Sequence, residues 1–210
     1  MRKKEQYLVL GHRGVCGTKI PENSAEAIKQ AALWGFDGVE IDVQLTKDNQ
    51  LVLWHDRELG GHMVHELTLQ QAQSYVDYPL LLVEDMLDLV TTLQLYLMCE
   101  IKVYQDDVWQ RLCTRLMPKL FEKMALNMLL VSSFSLACIS YLQREWSKVH
   151  LAYASEIAKM PKDLDVGCMV HPYKLWPQSQ VQSVVYEVGT LEDFQIKEHT
   201  DVFAVVVDRK

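Results

Sequence analysis

The sequence lacks the features that would divide it into domains or direct it into a membrane. Its 210 residues contain no linker rich in proline, glycine or serine and no shift in composition, so we expect one domain over residues 1–210. No apolar run approaches the roughly 20 residues of a membrane-spanning helix. After Arg2, Lys3 and Lys4 comes a short predicted strand, where a signal peptide would have a longer apolar stretch. We therefore expect no transmembrane segment.

The sequence also lacks an excess of positive charge and a pairing pattern among its cysteines. The formal net charge is −7, and the chain has no basic stripe of the kind that follows a nucleic acid backbone or an anionic membrane. We therefore expect no nucleic acid partner. The cysteines are odd in number, widely spaced and mostly in apolar runs, which favours free thiols in a reducing, cytoplasmic compartment over disulfides or a zinc site. They are Cys16, Cys99, Cys113, Cys138 and Cys168.

The chain does contain a regular alternation of apolar, strand-like runs and helix-like segments. The predicted strands are residues 7–10, 38–43, 95–102, 128–133, 149–152, 166–170, 183–188 and 203–207. Residues 51–55 form a ninth extended segment. Because only a short polar connection precedes it, we expect it to return antiparallel to the second strand as a hairpin.

Helices are predicted between most of these strands. Asn23, Ser24 and Glu26 resemble a capping box that opens a helix ending near Trp34, with Gly35 behind it. Asn23 is accordingly interpreted as a helix cap. Further helices are predicted over residues 106–124, 135–146 and 191–199, and shorter ones around 84–90 and after Trp176.

Eight strands with intervening helices predict an α/β protein, a compact (β/α)₈ TIM barrel with a small hairpin insertion after the second strand. The alternative is an open, doubly wound sheet. The barrel is favoured because the glycine-rich phosphate fingerprint of dinucleotide-binding folds is missing. It is also favoured because the polar residues suited to chemistry fall at the ends of several different strands.

Two pairs of alternating charged residues at strand ends indicate a metal site. Glu40 and Asp42 are two positions apart, so they point to the same side of their strand, about 6.6 Å apart along the backbone. Such carboxylates repel each other unless a cation lies between them. Glu100 and Lys102 repeat the pattern on the next barrel strand. Three carboxylates form an oxygen ligand set suited to Mg²⁺ or Ca²⁺, although each pair alone is more often a solvated strand end.

Histidine and arginine complete the set of candidate catalytic residues. Hydrolysis of a phosphodiester is helped by a general acid at the leaving oxygen and a general base on the nucleophile, and His12 and His55 can fill these two roles. The sequence does not show which residue is the acid. Arg13 is suited to binding phosphate oxygens, and its alternative is a surface salt bridge. The other histidines are assigned structural roles by default: His62, His65, His150, His171 and His199.

These residues lie in motifs whose order resembles that of the glycerophosphodiester phosphodiesterase family. The motifs are Gly11-His12-Arg13-Gly14, Pro21-Glu22-Asn23-Ser24, residues 39–48, His55-Asp56 and Glu100-Ile101-Lys102. The match is dense over residues 7–56 and continues more thinly through residues 68–90, Ser133-Phe134 and residues 203–208. It therefore covers essentially the whole chain.

The resemblance implies a (β/α)₈ barrel that hydrolyses glycerophosphodiesters to an alcohol and glycerol 3-phosphate with one divalent cation. By position in the motifs, it implies metal binding by Glu40, Asp42 and Glu100. It also implies acid–base catalysis by His12 and His55 and phosphate binding by Arg13 and Lys102. Asp56 is expected to orient His55.

The sequence departs from this family at three places. Residues 57–66 are shorter than the usual segment after the His-Asp pair, and we expect them to form a compact wall of an open pocket with loose head-group selectivity. Tyr186-Glu187-Val188-Gly189 replaces a Trp-Thr-Val-Asn-like strand. Val207-Asp208-Arg209-Lys210 replaces a Thr-Asp-x-Pro ending.

Two alternatives remain open. A lysophospholipase D or sphingomyelinase D-like enzyme of the same barrel family would need an apolar entrance, which Trp54, Met63, Tyr173 and Trp176 could supply. The other alternative is an inactive barrel used as a binding module. The intact set of histidines, carboxylates and lysine argues against that role.

Overall fold

The computed structural model describes residues 7–15, 17, 19–104, 108–156, 168–172, 182–190 and 202–209. Eleven strands lie in these ranges. They are β1 (Leu8–Gly11), β2 (Gly38–Leu45), β3 (Leu51–Leu53), β4 (Glu58–Leu59), β5 (His62–Met63), β6 (Tyr96–Ile101), β7 (Leu129–Ser133), β8 (His150–Ala154), β9 (Cys168–Pro172), β10 (Ser183–Thr190) and β11 (Val202–Arg209).

Eight of these strands form a closed parallel barrel in the order β1-β11-β10-β9-β8-β7-β6-β2, and β2 pairs back onto β1. The short strand β3 pairs antiparallel with the last three residues of β2, beyond the part of β2 that pairs with β1. Strands β4 and β5 form a separate two-stranded hairpin. The predicted TIM barrel with a hairpin insertion after its second strand is therefore confirmed.

Five α-helices are present in the described residues. They are α1 (Ala25–Leu33), α2 (Leu69–Gln73), α3 (Val83–Thr92), α4 (Val108–Lys123) and α5 (Leu136–Glu145). Four of them match predicted helices, whereas α2 was not predicted. The sequence does contain a signal for the start of α2, because Thr68 and Gln71 have the spacing of a capping box, and they form one in the structure. The helices predicted over residues 191–199 and after Trp176 lie outside the described residues.

The capping box predicted for α1 is wrong. Ser24 is the N-cap, and its hydroxyl accepts a hydrogen bond from the backbone N–H of Ala27. Asn23 lies one residue before the cap with a positive φ of 54°. Its side chain is unavailable for capping because it is hydrogen-bonded to Asp42 on β2.

The alternation along β2 separates the hydrophobic core from the polar residues. Ile41, Val43 and Leu45 pack into the layer between barrel and helices, whereas Glu40 and Asp42 point to the other side. A second apolar cluster, which includes Tyr96 and Met98, fills the barrel interior. Gly38 lies close to β6 near that cluster. A Cβ added at Gly38 would be 2.2 Å from the Tyr96 carbonyl oxygen. A larger residue would therefore push the two strands apart.

Two further expectations concern cysteines and membrane helices. Cys99, Cys113, Cys138 and Cys168 are free and buried, and Cys16 lies outside the described residues. Among the helices of the described ranges, none combines the length and the apolar character needed to span a membrane.

Candidate active site

The carboxyl ends of β1, β2 and β6 bring the candidate residues to one end of the barrel. Asp42 on β2 lies in register with Glu100 on β6. Oxygen atoms of Glu40, Asp42 and Glu100 all lie within 4.8 Å of one another. A cavity of about 200 Å³ is lined by all seven residues selected from the sequence, including His12, which follows β1.

Asp42 is held by direct contacts on both of its carboxylate oxygens. Its Oδ1 lies 2.9 Å from Nζ of Lys102, and its Oδ2 accepts a 2.8 Å hydrogen bond from Nδ2 of Asn23. The backbone N–H of Asp42 donates to Oδ1 of Asn23 at 3.0 Å. Burial alone would raise the pKa of Asp42, but the Lys102 charge and the Asn23 hydrogen bond outweigh it and lower the pKa. Asn23 therefore positions a charged carboxylate, which corrects its interpretation as a helix cap.

The surroundings of Glu40 shift its pKa in the opposite direction from that of Asp42. Burial, followed by the neighbouring Asp42 charge, raises the pKa of Glu40 to about 8. One Oε accepts a 3.0 Å hydrogen bond from the backbone N–H of Arg13. Burial also raises the pKa of Glu100, against the opposing effect of Lys102. The positive charge near Glu40 and Glu100 is too small to offset the cost of burying their ionised forms. A bound cation would supply that charge, so the oxygen cluster fits a hard divalent cation.

Lys102 lies between two of the three carboxylates. Its Nζ contacts both Asp42 and Glu100. Burial lowers the pKa of Lys102, but the charges of Asp42 and Glu100 outweigh burial and raise the pKa. The residue is therefore a permanent cation at the wall of the cavity.

Arg13 has a partner that sequence reasoning missed. Its Nη1 donates to both carboxylate oxygens of Glu22, at 2.9 and 2.8 Å. Its Nε lies 3.6 Å from Oδ2 of Asp42, which is an ion-pair distance but too long for a hydrogen bond. Arg13 has a positive φ of 52°. Glu22 thus orients the guanidinium beside the carboxylate cluster.

His12 is bonded to a residue at the other end of the chain. Its Nδ1 lies 2.7 Å from Oδ1 of Asp208 on β11. Burial lowers the pKa of His12, but the Asp208 hydrogen bond and the Glu40 charge outweigh burial, so that the pKa is raised. Because Asp208 accepts the Nδ1 proton, Nε2 is the nitrogen left for substrate.

His55 follows β3 and faces the same cavity. Its Nδ1 lies 2.9 Å from Oδ1 of the neighbouring Asp56, the contact expected from the sequence. Each histidine therefore has a carboxylate on Nδ1, the arrangement that fixes an imidazole tautomer for proton transfer through Nε2.

The other described residues that line the cavity are mainly apolar. They are Met98, Phe134, Val170, Tyr186 and Val206, supplied by the barrel interior and by the segment after β7, and of these only Tyr186 carries a polar group. Phe134 is 43% exposed, so it extends this wall toward the surface. From the sequence, Phe134 and Tyr186 were compared with the family pattern, but neither was predicted to belong to the site.

The expectation that residues 57–66 form a wall of this cavity is wrong, since none of them lines it. The segment instead contains the β4–β5 hairpin, and Leu59 on β4 and Val64 directly after β5 are buried in a separate small core with Leu67 and Leu80. Trp54 packs against the same core. Met63, also proposed for the entrance, lies on β5 and does not line the cavity. The two remaining proposed entrance residues, Tyr173 and Trp176, lie outside the described residues.

Known structures with the same barrel cover nearly the whole chain. One is an Oleispira antarctica phosphodiesterase in complex with the product sn-glycerol-3-phosphate, with a TM-score of 0.81, 18% identity and coverage of 96% of this chain and 92% of that chain. Another is a glycerophosphodiester phosphodiesterase from Parabacteroides distasonis, with a TM-score of 0.77, 21% identity and coverage of 98% and 94%. These similarities show the fold.

Curated relatives match a shorter segment at higher identity. A glycerophosphodiester phosphodiesterase of Caldanaerobacter subterraneus subsp. tengcongensis is 44% identical over 69 residues, which is 30% of this chain and 28% of that protein. A probable glycerophosphodiester phosphodiesterase 1 of Mycobacterium tuberculosis is 43% identical over 68 residues, which is 30% of this chain and 24% of that protein. The matched segments thus span less than a third of these relatives.

The sequence model of the glycerophosphoryl diester phosphodiesterase family matches residues 12–205. This range begins at His12, contains the three carboxylates and ends within β11. The family resemblance stated from the motifs is therefore confirmed, and the chain belongs to the glycerophosphoryl diester phosphodiesterase family.

Proposed function

We propose that the protein hydrolyses glycerophosphodiesters to an alcohol and glycerol 3-phosphate in a metal-dependent reaction. The observation that carries this proposal is the convergence of three buried carboxylates, two histidines and two cationic side chains on one cavity. Family membership supports it. The Oleispira antarctica phosphodiesterase, which was solved with sn-glycerol-3-phosphate, has the same barrel.

Glu40, Asp42 and Glu100 would hold one divalent cation, Mg²⁺ or Ca²⁺, since all three offer hard oxygen ligands. When bound, such a cation neutralises charge on the phosphate. Lys102 and Arg13 add fixed positive charge at the same wall and bind the non-bridging oxygens. These residues thus hold the phosphate against the two histidines.

His12 is proposed as the general acid. Its pKa is raised, so its imidazolium form persists toward neutral pH, and Nε2 gives its proton to the alcohol oxygen as the P–O bond to that oxygen breaks. His55 is proposed as the general base. Its Nε2 takes a proton from the water that forms the new bond to phosphorus, while Asp56 stabilises the resulting imidazolium.

Glycerophosphocholine, glycerophosphoethanolamine and glycerophosphoglycerol should be cleaved with kcat/KM values within about tenfold of one another. The reason is that the described residues that complete the cavity lining beside the charged ones are mainly apolar, so they distinguish weakly between charged and uncharged head groups. Steady-state kinetics on purified protein, with and without EDTA, measures both the activity and its metal dependence. A hundredfold preference for one head group would contradict the expectation, and no hydrolysis of any diester would refute the proposed function.

A lysophospholipase D is the second candidate, favoured by one specific observation. Phe134 lines the cavity and is 43% exposed, and Leu136, two positions along the chain, is 42% exposed, so apolar surface is present at the cavity and close to it in the sequence. Faster turnover of a lysophospholipid than of glycerophosphocholine would select this candidate.

A cytoplasmic location is proposed because the four described cysteines are free and buried.

The metal-free protein should be stabilised at alkaline pH by Glu40→Gln. With a pKa of about 8, the folded state holds a proton that the unfolded chain releases above pH 4.5, the ordinary pKa. The free energy of unfolding therefore falls as the pH rises between these values, by at most roughly 1.4 kcal/mol per pH unit. Glutamine cannot ionise, so the variant avoids this loss.

Melting temperatures in EDTA at pH 5 and pH 8.5 measure this effect. The variant should gain on the wild type at the higher pH only, and adding Mg²⁺ should stabilise the wild type more than the variant. A difference between the two proteins that stays constant with pH would show that Glu40 is ionised in the metal-free fold.

A further inference from the structure

Gln44 continues the row of side chains that contains two of the proposed metal ligands. It lies two residues beyond Asp42 and four beyond Glu40 on β2, so all three share one side of the strand. Gln44 is buried, with 6% exposure, yet it does not line the active-site cavity. Its amide has a different set of partners.

The Gln44 amide nitrogen meets three consecutive peptide carbonyls. Nε2 donates to the carbonyl oxygens of Trp54 at 2.9 Å and Asp56 at 2.6 Å, and it lies 3.4 Å from that of His55. An amide nitrogen carries two hydrogens, so the two shorter contacts use both. Because carbonyl oxygens only accept, the nitrogen and not the oxygen of the amide must face this segment.

The same segment is held from two other directions. Tyr104, which follows β6, donates a hydrogen bond from its hydroxyl to the His55 carbonyl at 2.8 Å. The Trp54 N–H donates to the Asp42 carbonyl at 3.1 Å. The paired part of β3 ends at Leu53. The contacts from Gln44 and Asp42 therefore continue the attachment of the chain to β2 beyond the strand pairing, and Tyr104 ties the same segment to the chain after β6.

We propose that Gln44 is a positioning residue that fixes the peptide segment of residues 54–56, and with it the His55 imidazole, relative to Glu40 and Asp42. This inference rests on the proposed function of His55. One strand then sets both the place of the cation and the place of the base, because Glu40, Asp42 and Gln44 are consecutive on the same side of β2. Proton transfer is sensitive to displacement, since a shift of about 1 Å can cost about a hundredfold in rate.

The test compares Gln44→Leu with Gln73→Leu. Gln73 is a matched control because its side chain also bridges backbone groups, the Tyr78 carbonyl and the Leu80 N–H, away from the cavity. Gln44→Leu should lower kcat by about tenfold to a hundredfold while KM changes less than about threefold. Gln73→Leu should leave both constants near the wild-type values.

A double variant separates positioning from a general structural role. If Gln44 acts through His55, Gln44→Leu should cause no further loss of kcat in a His55→Ala background. The same multiplicative loss in both backgrounds would overturn the proposal. So would a fall in kcat/KM that comes from KM alone.

Hydrogen exchange gives a readout that does not depend on activity. Backbone amides of residues 54–56 should exchange faster in Gln44→Leu than in the wild type or Gln73→Leu. Unchanged exchange there would overturn the proposal whatever the kinetics show. If the wild type cleaved no diester, the proposed function would fail and the exchange result alone would decide whether Gln44 holds this segment.

Discussion

Glu40→Gln, Asp42→Asn and Glu100→Gln should each weaken divalent cation binding and remove most of the diesterase activity, on the order of a hundredfold or more. The three side chains place oxygen atoms within 4.8 Å of one another, and an amide offers a weaker, uncharged ligand in place of a carboxylate. EDTA should silence the wild type, and Mg²⁺ or Ca²⁺ should restore it. Calorimetric titration of the cation and initial rates measure the two effects.

A remote carboxylate provides the control for these three variants. Glu84 on α3 forms a surface ion pair with Lys119, at 2.7 Å, so Glu84→Gln should change neither cation affinity nor rate. Circular dichroism should show that all four variants remain folded without metal. Full activity of the wild type after exhaustive chelation would contradict the metal assignment of Glu40, Asp42 and Glu100 together.

The barrel and its carboxylates could be predicted because both depend on local patterns. A period of two along β2 separates Glu40 and Asp42 from Ile41 and Val43 whatever the rest of the fold is. A parallel sheet then brings the ends of neighbouring strands to one edge, which places Glu100 beside Asp42 without further information.

The partners of these residues depend on closure of the barrel and could not be predicted in the same way. His12 and Asp208 are 196 positions apart, and they meet because β11 returns to pair with β1. No local pattern distinguishes Asp208 from a solvated acid near the end of a strand.

Asn23 shows how a correct local rule can give a wrong role. Asparagine before a helix is a good N-cap, but here Ser24 takes the cap and frees the Asn23 amide to hold Asp42. The choice depends on β2 lying next to the start of α1, which is a tertiary contact. The placement of residues 57–66 also depends on tertiary contacts, because their side chains Leu59 and Val64 pack in a separate small core.

Replacing either His12 or His55 by alanine should reduce kcat/KM for glycerophosphodiesters on the order of a hundredfold or more, and replacing both should cost little beyond the worse single variant. The reason is that both imidazoles serve one transition state. For the wild type, kcat/KM should follow a bell-shaped pH profile, since one histidine must be protonated and the other neutral. The exposed His150 on β8 supplies the control, and His150→Ala should retain the wild-type profile.

The structure adds a direction to this expectation. Asp208 and Glu40 raise the pKa of His12 against the effect of its burial, so Asp208→Asn should lower that pKa and move the alkaline limb of the bell to lower pH. A diester with p-nitrophenol as leaving group needs little help from an acid, so it should restore turnover to His12→Ala and not to His55→Ala. Selective rescue of His55→Ala would reverse the two roles, and rescue of neither would show that the two histidines do not divide acid and base catalysis between them.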